Sequence, residues 1–258
     1  MAITSPVLPL LGRGLAAGGA AGLATGLFSL LLAEPLMDKA IRLEEARSEA
    51  AHSHGAAAAA AQHHEELFSR STQHFGLVVT AVVAGLALGA LFAVAYALVH
   101  RRTPTAAPWP RALLFSAAAF CAVSLFPGLR YPANPPGVGD SGTVAHRQDL
   151  WLGAVAVGVL GMFLARQVYV RLAGRPEPVR QLAVAGTAVA VLALLFALPG
   201  NPDEVPVAAT LLWDFRVLSL ASHALLWAVF AAVFGGLGLR AAGRAERVTG
   251  PVAVTPAA

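Results

Sequence analysis

Apolar residues run in six long blocks along the chain, and polar residues collect between them. The uncharged runs cover residues 14–33, 75–99, 112–129, 150–165, 182–198 and 217–239. About 20 apolar residues in helical conformation cross the hydrocarbon core of a bilayer. The first, second, third and sixth runs meet or approach that length. The fourth extends to about residue 170 when Arg166 snorkels to the interface, and the fifth is short. The pattern predicts an all-α integral membrane protein of six transmembrane helices. It forms one membrane domain over residues 1–240, with a tail at 241–258. The first run is too long for the apolar region of a signal peptide. It also places Leu31 where a small residue is wanted for cleavage after Ala33, so it reads as a retained span.

Composition agrees with the pattern. Only 12% of residues are charged and mean hydropathy is +0.67, against about 25% charge in a soluble chain. The formal charge of +4 belongs to arginines that flank apolar runs, with no basic patch interleaved with aromatics. Nucleic acid is therefore excluded as a partner, and the lipid bilayer is the expected one. The lone Cys121 allows no intrachain disulfide and no thiolate cluster.

Charge also orients the chain. With the N-terminus in the cytoplasm, the inner side holds eleven of the 18 basic residues: Arg13, Arg101, Arg102, Arg111, Arg166, Arg171, Arg175, Arg180, Arg240, Arg244 and Arg247. It holds two of the 14 acids, Glu177 and Glu246, which leaves seven basic residues and twelve acids outside. The positive-inside rule selects this orientation, with both termini cytoplasmic. Loops 34–74, 130–149 and 199–216 then face out, and their acids attract cations.

The polar segments carry the candidate chemistry. Loop 34–74 offers His52, His54, His63, His64 and His74, with Glu34 at its start. Imidazole binds late first-row divalent metals and carboxylates complete such sites. The spacing matches no structural zinc pattern, and both a metal-collecting arm and a solvated linker fit it. Residues 36–51 contain good helix formers and predict a short surface helix. Asp140 and His146 lie in the second outer loop, and Asp214 and His223 at the outer end of the sixth span. With Glu34 they supply the ligand types for a ring at an outer mouth. Each also fits a cap or a salt bridge, such as Asp214 with Arg216 or Asp140 with Arg130. His223 reads either as a cation ligand or as an interhelical hydrogen-bonding group.

The glycines at 14, 18, 22 and 26 form a stripe on the first span, partly repeated by Gly85 and Gly89. Such a stripe serves close packing or a helix that slides. The loops PGLRYPANPPGVGD and PGNPDEVP follow similar span ends, LFPG and ALPG. Their prolines and glycines predict rigid turns after the third and fifth spans. Enzyme signatures are lacking. Ser219, His223 and Asp214 have no nucleophile turn around them, there is no P-loop, and no pair of histidines faces a haem.

The His- and Glu-containing loop after the first span, the segment LRYPANPPGVGD, the following TVAHRQDLWL, and SHALLWAVFAAVFG occur in this order from the first span to about Leu239. In that respect the chain resembles the CbtA family of predicted cobalt transporter subunits. The resemblance implies a non-enzymatic, multi-pass subunit of the bacterial inner membrane that takes up Co²⁺ for cobalamin synthesis. It implies a small single-span, His-containing partner of the CbtB type and no resident cofactor. By position it singles out Arg130, Tyr131, Pro132, Asn134, Pro135, Pro136, Gly139 and Asp140, with His223. The hairpin residues read as a rigid outer element rather than a ligand cage. The alternative of a different class is a non-transporting membrane scaffold or metal sensor that binds metal outside and organises a partner.

Overall fold

The computed structural model describes residues 7–53, 70–100, 107–135, 138–203, 205 and 207–249, with backbone alone at 7, 44–53, 70, 141, 248 and 249. Every regular element among them is helical. Helix α1 (Val7–Phe28) passes through a π turn (Ser29–Ala33) into α2 (Glu34–Ser53), and α3 spans Arg70–His100. Helix α4 (Pro108–Phe120) passes through a second π turn (Cys121–Leu125) into α5 (Phe126–Arg130). A 3₁₀ turn (Ser141–Thr143) opens α6 (Val144–Arg171), and α7 (Glu177–Ala197) and α8 (Ala209–Thr249) follow.

Among the described residues, six segments are long and apolar enough to cross a membrane: Leu8–Leu43, Ser71–His100, Pro108–Arg130, Val144–Arg171, Glu177–Ala197 and Ala209–Arg247. Each contains most of one apolar run and extends beyond it at one or both ends. Only 11% to 33% of each apolar window is buried, so most apolar side chains face outward, as they must in lipid. Below, the end bearing loops 34–74, 130–149 and 199–216 is the hairpin end. The opposite end, where α1 begins and α8 finishes, is the arginine-rich end.

Two prolines, a residue type that ordinarily stops a helix, do not do so here. The π turns are closed by bonds from the Glu34 N–H to the Ser29 carbonyl and from the Phe126 N–H to the Cys121 carbonyl. The next residue in each case is proline, Pro35 or Pro127. Proline has no N–H to give, and its ring needs room at the carbonyl one turn back. The widened turn supplies that room, and the helix continues. The expected separate helix at 36–51 is therefore the continuation of the first span. The rigid turn begins after Arg130 rather than at Pro127. The last helix also exceeds expectation, taking in Asp214 at one end and residues 241–249 of the tail at the other.

The segments form two clusters that share the third span. In the first, α1, α3, α4 and α8 surround Phe92, Tyr96, Trp227, Phe230 and Phe234. Phe92 is the hub, 4.4 Å from the Phe230 ring centre and 5.0 Å from that of Phe234. In the second, α5, α6 and α7 bury Phe126, Ala154, Val191 and Leu195. The glycine stripe of α1 lies backbone to backbone on α3, where Gly14 and Gly18 meet Gly85 and Gly89. The groove is filled by its neighbour, which is the close-packing arrangement. Gly158 similarly lets α6 meet the Ala122 carbonyl in the second π turn.

Trp227 Nε1 donates to the buried Ser124 Oγ at 3.0 Å and joins α8 to that turn. Trp227→Phe keeps most of the apolar volume and removes this bond. It is expected to cost about 1 kcal/mol, read as a lowered melting midpoint in detergent.

Candidate functional site

Of the expected ligands, the structure brings two together. His74 Nε2 lies 3.1 Å from Glu34 Oε1 at the hairpin end. Glu34 sits where the first π turn hands over to α2, and His74 one turn into α3. The glycine contact of α1 with α3 holds these two positions side by side. The Glu34 side chain is 17% exposed and that of His74 39%, so the pair opens to solvent on the imidazole side. A carboxylate oxygen and an imidazole nitrogen this close supply two donors of the kinds that late first-row divalent ions accept.

The larger ring is not assembled. Among the described residues no three His, Cys, Asp or Glu side chains converge as a metal site. His146, Asp214 and His223 are exposed on their helices. Asp140 caps the 3₁₀ turn by accepting the Gly142 N–H at 2.6 Å. Asp140 and His146 lie at the start of α6 and Asp214 and His223 on α8, while Glu34 lies at the start of α2. His52 lies on α2, but its side chain is outside the described residues, as are His54, His63, His64 and Pro136.

What does converge at this end is a lock between the two Pro-rich loops. Arg130 donates to the Leu198 carbonyl, and the Tyr131 hydroxyl to the Pro199 carbonyl at 2.7 Å. Arg216 of α8 donates to Asn134 Oδ1 at 3.0 Å. The local pairs Arg130–Asp140 and Asp214–Arg216, which sequence allows, are replaced by these bonds. A main-chain carbonyl at the end of a helix and a side-chain amide in a turn both need donors. Pro132 and Pro135 stiffen the strap between these anchor points, and Pro135 is buried.

The centre of the lock is Asp203, whose side chain is only 5% exposed. It accepts from Thr143 Oγ1 at 2.8 Å and faces Arg147 Nε at 3.1 Å, an ion pair whose N–H is not aligned for a hydrogen bond. Arg147 also donates to the Asp140 carbonyl at 3.2 Å. Gly139 passes beside this group at φ +100°, and a Cβ there would strike Arg147 Nη1 and Asp203 Oδ2. Both the conformation and the space require glycine. Sequence reading missed Asp203, Thr143 and Arg147 as a unit. The available signal was the faint likeness of PGLRYPANPPGVGD to PGNPDEVP, since the two loops are partners. A cavity of about 380 Å³ lies beside the lock, bounded by Tyr131, Asn134, Val138, Arg147, Trp151 and Asn201.

Six membrane-length helices, no strand among the described residues, and polar groups gathered at the helix ends define a multi-pass helical membrane protein. A family model described as "Probable cobalt transporter subunit (CbtA)" matches residues 8–238. That range is most of the chain, covers the first five spans, most of the sixth and both interlocked loops, and so the chain belongs to the CbtA family. It matches no curated protein and no solved structure significantly.

Proposed function

We propose that this chain is the membrane subunit of a cobalt uptake system of the bacterial inner membrane, serving cobalamin synthesis. Both termini are cytoplasmic and the hairpin end faces out. Family membership supports the cargo, and the charge asymmetry supports the orientation. The observation that carries the reading is the Glu34–His74 contact, an oxygen and a nitrogen donor at the outward end of the glycine-packed pair.

The cargo ion is drawn to an outer face richer in acids than in bases. It exchanges some of its waters for Glu34 and His74. His52, His54, His63 and His64 lie between Glu34 and His74 in the sequence and deliver metal to the pair. Asp140, His146 and Asp214 add oxygen and nitrogen donors along the same face. His223, exposed on α8, is offered to a small single-span, His-containing partner of the CbtB type. An inside-negative potential favours inward movement of a divalent ion by about 4.6 kcal/mol per 100 mV, twice the value for one charge.

The test is radioactive cobalt uptake by cells lacking other cobalt importers, with the partner co-expressed and variants at matched membrane levels. His74→Ala is expected to reduce uptake at sub-saturating cobalt about tenfold, an effect typical of a lost metal-site interaction. Wild-type uptake by this variant removes the pair from the path. A second reading is a scaffold that binds metal outside, through the same Glu34–His74 pair, without carrying it. Cobalt binding without accumulation in vesicles distinguishes that outcome.

A further inference from the structure

The cavity of about 380 Å³ beside the lock draws its polar walls from three segments. Arg147, Gln148 and Trp151 reach it from one face of α6, Tyr131 and Asn134 from the first Pro-rich loop, and Asn201 from the second. Its size lies within the range of small-molecule sites, about 300–1,000 Å³.

Hydrogen bonds decide which atoms the two asparagines have left. Arg216 donates to Asn134 Oδ1 at 3.0 Å, and the Asp203 N–H donates to Asn201 Oδ1 at 3.2 Å. Only an amide oxygen accepts such a bond, so each oxygen is held in the lock and each NH₂ group is left over. Among the described residues nothing accepts from either NH₂ group, and nothing is hydrogen-bonded to the Gln148 amide or the Trp151 indole. The indole N–H is a donor only. The Tyr131 hydroxyl already donates to the Pro199 carbonyl. Arg147 is also engaged, with Nε against Asp203 and Nη2 on the Asp140 carbonyl.

The cavity therefore offers neutral N–H donors and two aromatic rings, beside a guanidinium whose charge Asp203 balances. A bare divalent cation needs lone pairs, which these donors do not supply. A phosphate is held best by an unengaged guanidinium fork, and Arg147 has its Nε and Nη2 in use. A carboxylate is satisfied by N–H donors, and the aromatic rings cover the carbon skeleton that carries it.

We infer that this cavity binds a small organic acid through its carboxylate oxygens, with Asn134, Asn201 and Trp151 as donors. Small organic acids also ligate divalent metals, and a metal-bound carboxylate keeps lone pairs for N–H donors. The same oxygens thus arrive either free or in a metal complex. The second form rests on the proposed uptake of cobalt and the first does not. Either occupant joins α6 to both loops. Asn134 also holds Arg216 of α8, so binding tightens the lock as a whole.

The full chain is purified in a neutral detergent and melted with citrate, cobalt citrate, inorganic phosphate or Co²⁺ alone. Cobalt citrate is added to the His74→Ala chain, so that cobalt taken by the Glu34–His74 pair does not contribute. Citrate or its cobalt complex is expected to raise the midpoint by about 5 °C or more at hundredfold excess over its dissociation constant, and phosphate much less. Asn201→Asp keeps the oxygen that accepts from the Asp203 N–H and replaces the donor with a carboxylate oxygen. Trp151→Phe keeps a ring and removes the N–H, and it folds without touching the lock should Asn201→Asp fail to fold. Each is expected to weaken binding about tenfold, the effect of one lost hydrogen bond to a charged group. Equal increments from citrate and cobalt citrate assign the free acid, and a larger one from cobalt citrate assigns the complex. Wild-type affinity in both variants overturns the site, as does the absence of an increment from either form. An equal increment from phosphate overturns the carboxylate as its ligand. Co²⁺ alone reports on the Glu34–His74 pair, so a failure there leaves the citrate response standing and a failure of the cavity leaves the Co²⁺ response.

Discussion

Gly18→Leu is expected to abolish the folded state. A Cβ at this position falls on the Gly85 carbonyl and within 3.1 Å of the Gly89 Cα. Both obstacles are backbone, so no rotamer change relieves them. The converse contact is equally tight: a Cβ on Gly85 lies 3.0 Å from the Gly22 Cα. Lipid supplies little hydrophobic drive between spans, so helix association depends on this close approach. Even Gly18→Ala is expected to cost about 3 kcal/mol, the upper part of the overpacking range, because α1 must lift off α3. That corresponds to a midpoint about 6–12 °C lower for a chain of this size. Leucine at the same place separates the helices along several turns. Gly12→Ala provides the control, since a Cβ there has nothing within 4 Å. Size-exclusion profiles and melting curves in detergent check the series. A Gly18→Leu protein that elutes and melts like wild type means that α1 and α3 are not in backbone contact.

The six spans were legible because long apolar runs leave the backbone one solution in lipid, the helix. The glycine stripe was legible as a packing surface, and its neighbour was hinted at by Gly85 and Gly89. Helix ends were less so. Pro35 and Pro127 look like stops, yet a π turn precedes each, and nothing in the local composition marks that register. Glu34 and His74 were both visible as ligand types, but forty residues separate them. Only the α1–α3 contact makes them neighbours. The ring with Asp140, His146, Asp214 and His223 rested on shared membrane side alone, which fixes depth and leaves lateral position open. The lock was hidden for the same reason. Asp203 is an ordinary loop acid until Thr143 and Arg147, brought from another loop, close over it.

Asp203→Ala is expected to release both outer loops. The carboxylate is almost fully buried, accepts from Thr143 and balances Arg147, whose side chain is 29% exposed. Removing one partner of a buried pair costs about 3–5 kcal/mol, because the remaining charge is left without compensation. The partial exposure of Arg147 places the expected loss near the lower value, about 3 kcal/mol. The melting midpoint in detergent should fall by about 6–12 °C. Arg147→Met on its own leaves Asp203 buried and unpaired, and should cost a similar amount. The double variant removes both charges and should recover part of the loss, so the two effects are not additive. Gly139→Ala should move stability the same way, since it forces a Cβ into Arg147 and Asp203 at a φ that alanine resists. Cobalt uptake measured on the same variants separates two roles of the lock. If Asp203→Ala loses uptake in proportion to folded protein, the lock is a brace. If folded Asp203→Ala protein transports more slowly, the relative position of the two loops is part of the transport cycle. A midpoint unchanged by Asp203→Ala would mean that water, rather than the carboxylate, satisfies Arg147.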